Sequence, residues 1–96
     1  MFMATLAFGA DFKKDIVGDW TYEFNGQQAT MKHRSDGTFT LVIGGITVNG
    51  KYAVNENNLT LVTDGKETPY TIETFDGKKL TMKRVKDNRI IVYVKE

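Results

Sequence analysis

The sequence predicts an all-β fold, an eight-stranded antiparallel up-and-down meander closed into a small barrel. Three observations carry that expectation. Short segments of alternating polarity follow one another from residue 19 to residue 95, and none shows sustained helical periodicity. Tight-turn dipeptides punctuate them, Asn25-Gly26, Gly44-Gly45 and Asp64-Gly65 among them. One apolar face then runs from the first strand to the seventh without a slip of register.

Turn length and side-chain parity check one another in chain order. With Trp20, Tyr22 and Phe24 inward on the first strand (19–24), a two-residue Asn-Gly turn brings Ala29, Met31 and His33 inward on the second (27–33). Primed turns of this kind need positive φ at both central residues, which Asn and Gly tolerate. Ser35-Asp36-Gly37 suits a three-residue loop and sets Phe39 opposite His33, so Phe39, Leu41 and Ile43 follow on the third strand (38–43). Gly44-Gly45 pairs Ile43 with Ile46, and Val48, Gly50, Tyr52 and Val54 continue the face along the fourth (46–54). A four-residue loop, 55–58, delivers Leu59, Leu61 and Thr63 on the fifth (59–63). Asp64-Gly65 pairs Thr63 with Lys66, leading to Tyr70 and Ile72 on the sixth (66–74). Pro69 lies inside that strand and must direct its missing N–H to a gap or bulge in the ladder. A Phe75-Asp76-Gly77 loop pairs Thr74 with Lys78 and gives Leu80, Met82 and Arg84 on the seventh (78–84). The eighth (89–95) is apolar on both faces, Ile90/Val92/Val94 and Ile91/Tyr93, so its orientation stays open. Closing the meander into a barrel removes its edge strands; an open meander dimerising face to face is the competing solution.

Composition narrows the function classes. At 96 residues the chain is one domain with a single thin core. A net charge of +1 argues against a dedicated polyanion binder, although the bases are unevenly placed. Lys78, Lys79, Lys83, Arg84, Lys86, Arg89 and Lys95 face only Asp87 over the last strands, which reads either as a solvated basic edge or as an anion-facing patch. With no cysteine there is no disulfide framework, zinc thiolate site or thiol nucleophile. No apolar stretch approaches the ~20 residues that span a bilayer, so no membrane span is expected.

Met1 to Ala10 are uncharged and mostly apolar, and they end in small residues before Asp11-Phe12-Lys13-Lys14. Two readings of residues 1–15 follow. One is a remnant of a secretory signal peptide, with Ala7-Phe8-Gly9-Ala10 as its junction but without a basic n-region. The other is an apolar N-terminal lid on the closed end of the barrel. The signal reading implies a secreted or periplasmic, or cell-surface, protein. Residues 16–96 form the barrel in either case.

Ile16-Val17-Gly18-Asp19-Trp20 resembles the G-x-W motif that opens the first strand in calycins, the superfamily of lipocalins and fatty-acid-binding proteins. Ser35-Asp36-Gly37-Thr38-Phe39, then Gly50-Lys51-Tyr52, then Leu59-Thr60-Leu61 resemble, in order, the DGTF, GxY and LTL segments of small bacterial lipocalin-like domains. The resemblance covers residues 16–84 and implies a lipocalin-like barrel that holds a small molecule inside. In lipocalins a base near the end of the last strand packs on the G-x-W tryptophan. Lys95 is the matching position here, a lysine where the family usually carries an arginine, so a stacked guanidinium cannot form.

Inward parity supplies the candidate ligand-binding residues: Tyr22, Phe24, Met31, Leu41, Tyr52, Leu61, Lys66, Tyr70, Met82 and Arg84. The expected ligand is a small hydrophobic or amphipathic molecule. Lys66 and Arg84 share a face on neighbouring strands at the open end, where two bases leaning into an apolar mouth would suit an anionic head group. Room is limited, because eight strands enclose space for side chains or one small ligand and only Ala29 and Gly50 on the inward face are small. The alternative is a filled barrel acting as a structural or protein-interaction module, as bacterial lipocalin-like protease inhibitors do.

Enzymatic chemistry is not expected. His33 is the only histidine and falls on the inward face at the closed end, where a structural role suffices. Carboxylates such as Glu23, Asp36, Asp64, Glu73 and Asp76 fall on turns and outward faces, too scattered for a metal site. No phosphate-cradling glycine loop precedes a helix, and no cofactor is expected. Aromatics interleaved with bases on an exposed face are lacking, so nucleic acid is not an expected partner either. A monomer or weak homodimer fits this picture.

Overall fold

Eight hydrogen-bonded strands close on themselves in sequential order, β1 beside β8, in a computed structural model that describes residues 12–96. They are β1 (Gly18–Phe24), β2 (Gln27–His33), β3 (Thr38–Ile43), β4 (Ile46–Asn55), β5 (Asn58–Thr63), β6 (Lys66–Phe75), β7 (Lys79–Arg84) and β8 (Ile90–Lys95), preceded by a single helical turn, α1 (Phe12–Asp15). The closed barrel settles the contest with an open meander. Both readings of Met1 to Ala10 lie outside the described residues. Within them, α1 lies at the end of the barrel where β1 begins and buries Phe12 in the core, and Ile16, the residue after it, is buried there too.

The expected registers hold from β1 to β6. Phe24 pairs with Gln27, His33 with Phe39, Ile43 with Ile46, Val54 with Leu59 and Thr63 with Lys66. Asn25 (φ 52°) and Gly26 (φ 81°) adopt the primed turn that this pairing demands. The expected 55–58 loop is tighter than the sequence suggests. Asn55 pairs with Asn58, leaving a two-residue turn in which Glu56 takes φ 58°. Parity survives because both strands gain one residue. Pro69 accepts from the Val85 N–H at 3.0 Å just past Tyr70↔Arg84, the last ladder pair, so its nitrogen faces the gap that its ring requires.

One expectation fails, at the turn between β6 and β7. Thr74 does not pair with Lys78; a bulge between Ile72 and Thr74 shifts the register, so Thr74 pairs with Thr81 and Phe75 with Leu80. The extra residue turns Phe75 inward and leaves Thr74 exposed. Packing explains the shift: the Phe75 ring meets Trp20 and Phe12 edge-on, each at 6.2 Å between centroids. An aromatic read as a loop residue is part of the core.

Closure depends on a corner built around Trp20. That side chain is 0% exposed, and its Nε1 donates to the Ile16 carbonyl at 2.9 Å. Across the seam Trp20 pairs with Lys95 and Thr21 with Val94. The Lys95 ammonium lies 5.0 Å from the indole centroid and 3.4 Å from the Val17 carbonyl oxygen, so a cation does pack on the tryptophan as a lysine rather than an arginine. Gly18 makes this possible. Its φ is 138°, and a Cβ there would stand 3.3 Å from the Lys95 Cε. Pairing of Trp20 with Lys95 also fixes β8, placing Ile91 and Tyr93 inside and Ile90, Val92 and Val94 outside.

Two substitutions test this packing by urea unfolding. Trp20→Ala should cost on the order of 3–5 kcal/mol through the cavity it leaves; a loss under about 1 kcal/mol would remove Trp20 from the core. Gly50→Ala should cost about 1–3 kcal/mol by overpacking, because a Cβ there would lie 2.7 Å from the Phe39 ring and press on the Val62 carbonyl.

Candidate ligand-binding cavity

The barrel interior is divided along its axis. At the α1 end an aromatic stack fills it. Trp20 packs on Tyr93 (5.7 Å between centroids), Tyr93 on His33 (5.8 Å), and His33 edge-on against Tyr52 (4.6 Å). At the other end the chain turns through Asn25-Gly26, Gly44-Gly45, Asp64-Gly65 and residues 85–89, and the interior opens into a cavity of about 200 Å³. Tyr22, Phe24, Met31, Leu41, Ile43, Leu61, Tyr70, Arg84, Ile91 and Tyr93 line it. Its walls are therefore aliphatic and aromatic, with three phenol hydroxyls and one guanidinium as polar groups.

Each polar group has a defined state. Burial pushes Tyr22 up to about 12, with Tyr70 adding to the rise and Arg84 opposing it. Burial also raises Tyr70, against the pull of the neighbouring Arg84 guanidinium, and raises Tyr93 well above the ordinary phenol range. All three therefore stay protonated as hydrogen-bond donors and acceptors through neutral pH. Arg84 is not a free cation. Its Nε and Nη2 donate to the two carboxylate oxygens of Asp87 at 3.0 and 2.9 Å, and those bonds hold Asp87 down at about 2. Arg89 lies over the Phe24 ring at 4.2 Å and donates to Asn25 Oδ1 at 2.5 Å, outside the cavity lining.

Of the residues singled out by parity, the structure brings Tyr22, Phe24, Met31, Leu41, Leu61, Tyr70 and Arg84 together around the cavity. Tyr52 sits in the aromatic stack instead, its hydroxyl donating to the Arg34 carbonyl at 2.5 Å. Met82 is fully buried core. Lys66 is exposed and absent from the lining, so it forms no two-base clamp with Arg84. Sequence reasoning left out Ile43, Ile91 and Tyr93. The signal for the last two was present, because matching Lys95 to Trp20 fixes strand parity and turns Tyr93 and Ile91 inward.

A family model described as a lipocalin-like domain matches residues 5–82. The chain belongs to the lipocalin-like domain family. An NMR structure of a protein from Bacteroides uniformis ATCC 8492 shares this lipocalin-like fold, with a TM-score of 0.69 at 17% identity. The alignment covers 86% of this chain and 90% of that one. No curated protein sequence matches the chain. Membership associates the barrel with small-molecule binding in general. Among the described residues no helix is long and apolar enough to cross a membrane, and no cluster of metal-ligating side chains occurs.

His33 sits just beyond the cavity wall and is 1% exposed. Its Nε2 lies 3.4 Å from the Tyr93 hydroxyl, and among the described residues its Nδ1 meets no partner. Burial lowers its pKa from 6.5 to about 4. The folded state therefore favours neutral imidazole, so this contribution is fully present above pH ~6.5 and is lost as pH falls toward ~4. Stability should drop by on the order of 3 kcal/mol across that window. His33→Gln should flatten the curve there, as read from urea midpoints at stepped pH; an equally steep wild-type and variant curve would assign the pH dependence to other groups.

Proposed function

We propose that this protein is a lipocalin-like binding protein for one small, apolar or amphipathic molecule held in the barrel cavity, without catalysis. The observation that carries the reading is the cavity itself: about 200 Å³ with mostly apolar walls, into which Tyr22, Tyr70, Tyr93 and Arg84 bring the polar groups. A dry cavity of about 150 Å³ holds a benzene ring, so the size fits a single ring or a short chain. The apolar part packs on Met31, Leu41, Leu61 and Ile91, and a hydrogen-bonding end faces the phenols and the guanidinium. A secreted or periplasmic setting belongs to this reading and rests on the apolar, uncharged run from Met1 to Ala10. A monomer or weak homodimer suffices, since the site needs no second chain.

A second reading, an interaction module with no ligand, draws on the outer face of β8. Ile90, Val92 and Val94 are exposed there, beside the seam where only Trp20↔Lys95 and Thr21↔Val94 pair. Fluorine NMR titration with para-fluorophenol separates the two. The first reading expects saturable binding, weakened about tenfold by Tyr70→Phe through one lost hydrogen bond. Leu41→Phe should abolish it by filling the cavity while leaving the protein folded. Absence of saturable binding to para-fluorophenol, para-fluorotoluene and hexanol alike would favour the interaction module.

A further inference from the structure

We infer that Asp87 sets the charge selectivity of the cavity: it matches the charge of Arg84 and so tunes the site to uncharged ligands that carry a hydrogen-bonding group, against carboxylates. The inference rests on the reading of the cavity as a binding site and names its ligand class. Arg84 is the single charged side chain in the lining. Anything that enters with a negative head group meets this cation first, and Arg84 alone would make the mouth an anion site.

Asp87 removes that preference in two ways. It occupies the Nε and Nη2 edge of the guanidinium with both oxygens, at 3.0 and 2.9 Å, one of the two edges on which a carboxylate can bind bidentately. It also places a permanent negative charge beside the remaining N–H groups. Its carboxyl is held down at about 2, chiefly by the hydrogen bonds from Arg84, and so is ionised at neutral pH. What remains for a ligand are the guanidinium N–H groups that Asp87 leaves, one of them shared with the Tyr70 hydroxyl, and the Tyr22 hydroxyl. These can hold a phenol, an alcohol or a carbonyl oxygen without a second negative charge beside Asp87.

Local structure keeps the pair together. Asp87 lies three residues after Arg84 in the β7–β8 loop, where the Asn88 N–H donates to the Arg84 carbonyl at 2.8 Å and the Arg89 N–H to Asp87 Oδ1 at 3.3 Å. The loop is thus wound so that its acid faces back onto the last residue of β7. The other bases near the mouth do not replace Arg84. Lys66 and Lys86 are exposed and outside the lining, and Arg89 is engaged by Phe24 and Asn25. Their charges act through water and are screened over about 8–10 Å at ordinary salt.

The test compares two probes of one shape, para-fluorophenol and para-fluorobenzoate, by fluorine NMR at neutral pH. Wild type should take the phenol in preference to the benzoate. Asp87→Asn keeps the Oδ1 acceptor but removes the negative charge that matches the guanidinium, and should raise benzoate affinity about tenfold while changing phenol affinity by less than about threefold. Asp87→Ser removes the carboxylate with a different side chain and should shift selectivity the same way. Adding Arg84→Ala to either variant should cancel the gain, which a merely loosened loop would not predict. Benzoate affinity unmoved by both Asp87 variants, or raised equally with phenol, overturns the inference even where wild type binds the phenol well. Benzoate bound only by the Asp87 variants supports it even if wild type binds neither probe. No binding of either probe by any variant overturns this inference; the binding reading falls with it only if para-fluorotoluene and hexanol are not bound either.

Discussion

The barrel depends on a single corner, the packing of Trp20 between Ile16, Lys95 and the space that Gly18 leaves open. Every other seam joins strands that are neighbours in sequence, so a short turn brings their ends together at small entropic cost. The β1–β8 seam has no such help. It must close a loop of nearly the whole chain, and it does so with the ladder pairs Trp20↔Lys95 and Thr21↔Val94, plus a Glu96 N–H that donates to the Asp19 carbonyl at 3.0 Å. Side chains carry the rest. The indole buries its full surface, finds an acceptor for its N–H in the Ile16 carbonyl and takes the Lys95 ammonium over its ring. A side chain at Gly18 would be strained at φ 138° and would crowd that lysine, which gives the G-x-W pattern a mechanical meaning. The glycine makes room for the cation that locks the last strand to the first.

Because closure is concentrated at the α1 end, the two halves of the interior can differ. Near the corner, Phe12, Phe75, Tyr93, Phe39 and His33 fill the barrel, and the Phe39 ring fits only because Gly50 carries no Cβ. Away from it the seam carries no ladder pairs beyond Thr21↔Val94, and the mouth of β1 and β8 is joined by Arg89 reaching Asn25 and the Phe24 ring. The cavity lies in this half. Tyr93 touches both halves, packing on Trp20 and His33 while lining the cavity, and so joins the filled end to the candidate site.

Most of the fold was legible in the sequence because turn chemistry and period-two patterning constrain each other. Asn-Gly, Gly-Gly and Asp-Gly each fix a two-residue turn, and each turn fixes the parity of the strand that follows. Legibility stopped where one residue could serve two purposes. Phe75 precedes Asp-Gly and reads as loop, yet its ring is worth more against Trp20 and Phe12, so the chain bulges to deliver it. The candidate site shows the same boundary. Parity identified apolar and tyrosine residues that the cavity gathers, but it could not tell which end of an inward strand is filled and which is open. Tyr52 and Met82 share parity with the lining and lie outside it. Lys66 had parity but no neighbours to bury its stem, so it stays in water. The Arg84–Asp87 pair depends on how one loop is wound, which alternation does not encode.

A cavity in so small a domain has an energetic consequence. Each cubic ångström of unfilled apolar space costs roughly 24 cal/mol, so about 200 Å³ left dry would cost on the order of 5 kcal/mol. That is comparable to the whole net stability of many domains of this size, about 5–15 kcal/mol. One larger residue at Leu41 or Ile43 would recover much of it, and both positions are otherwise ordinary strand sites. Keeping aliphatic side chains there, while three tyrosines and an arginine stand at the same wall, leaves an interior suited to polar atoms at one end and apolar atoms at the other. Under the binding reading, an occupant with both characters would offset the cost of that space.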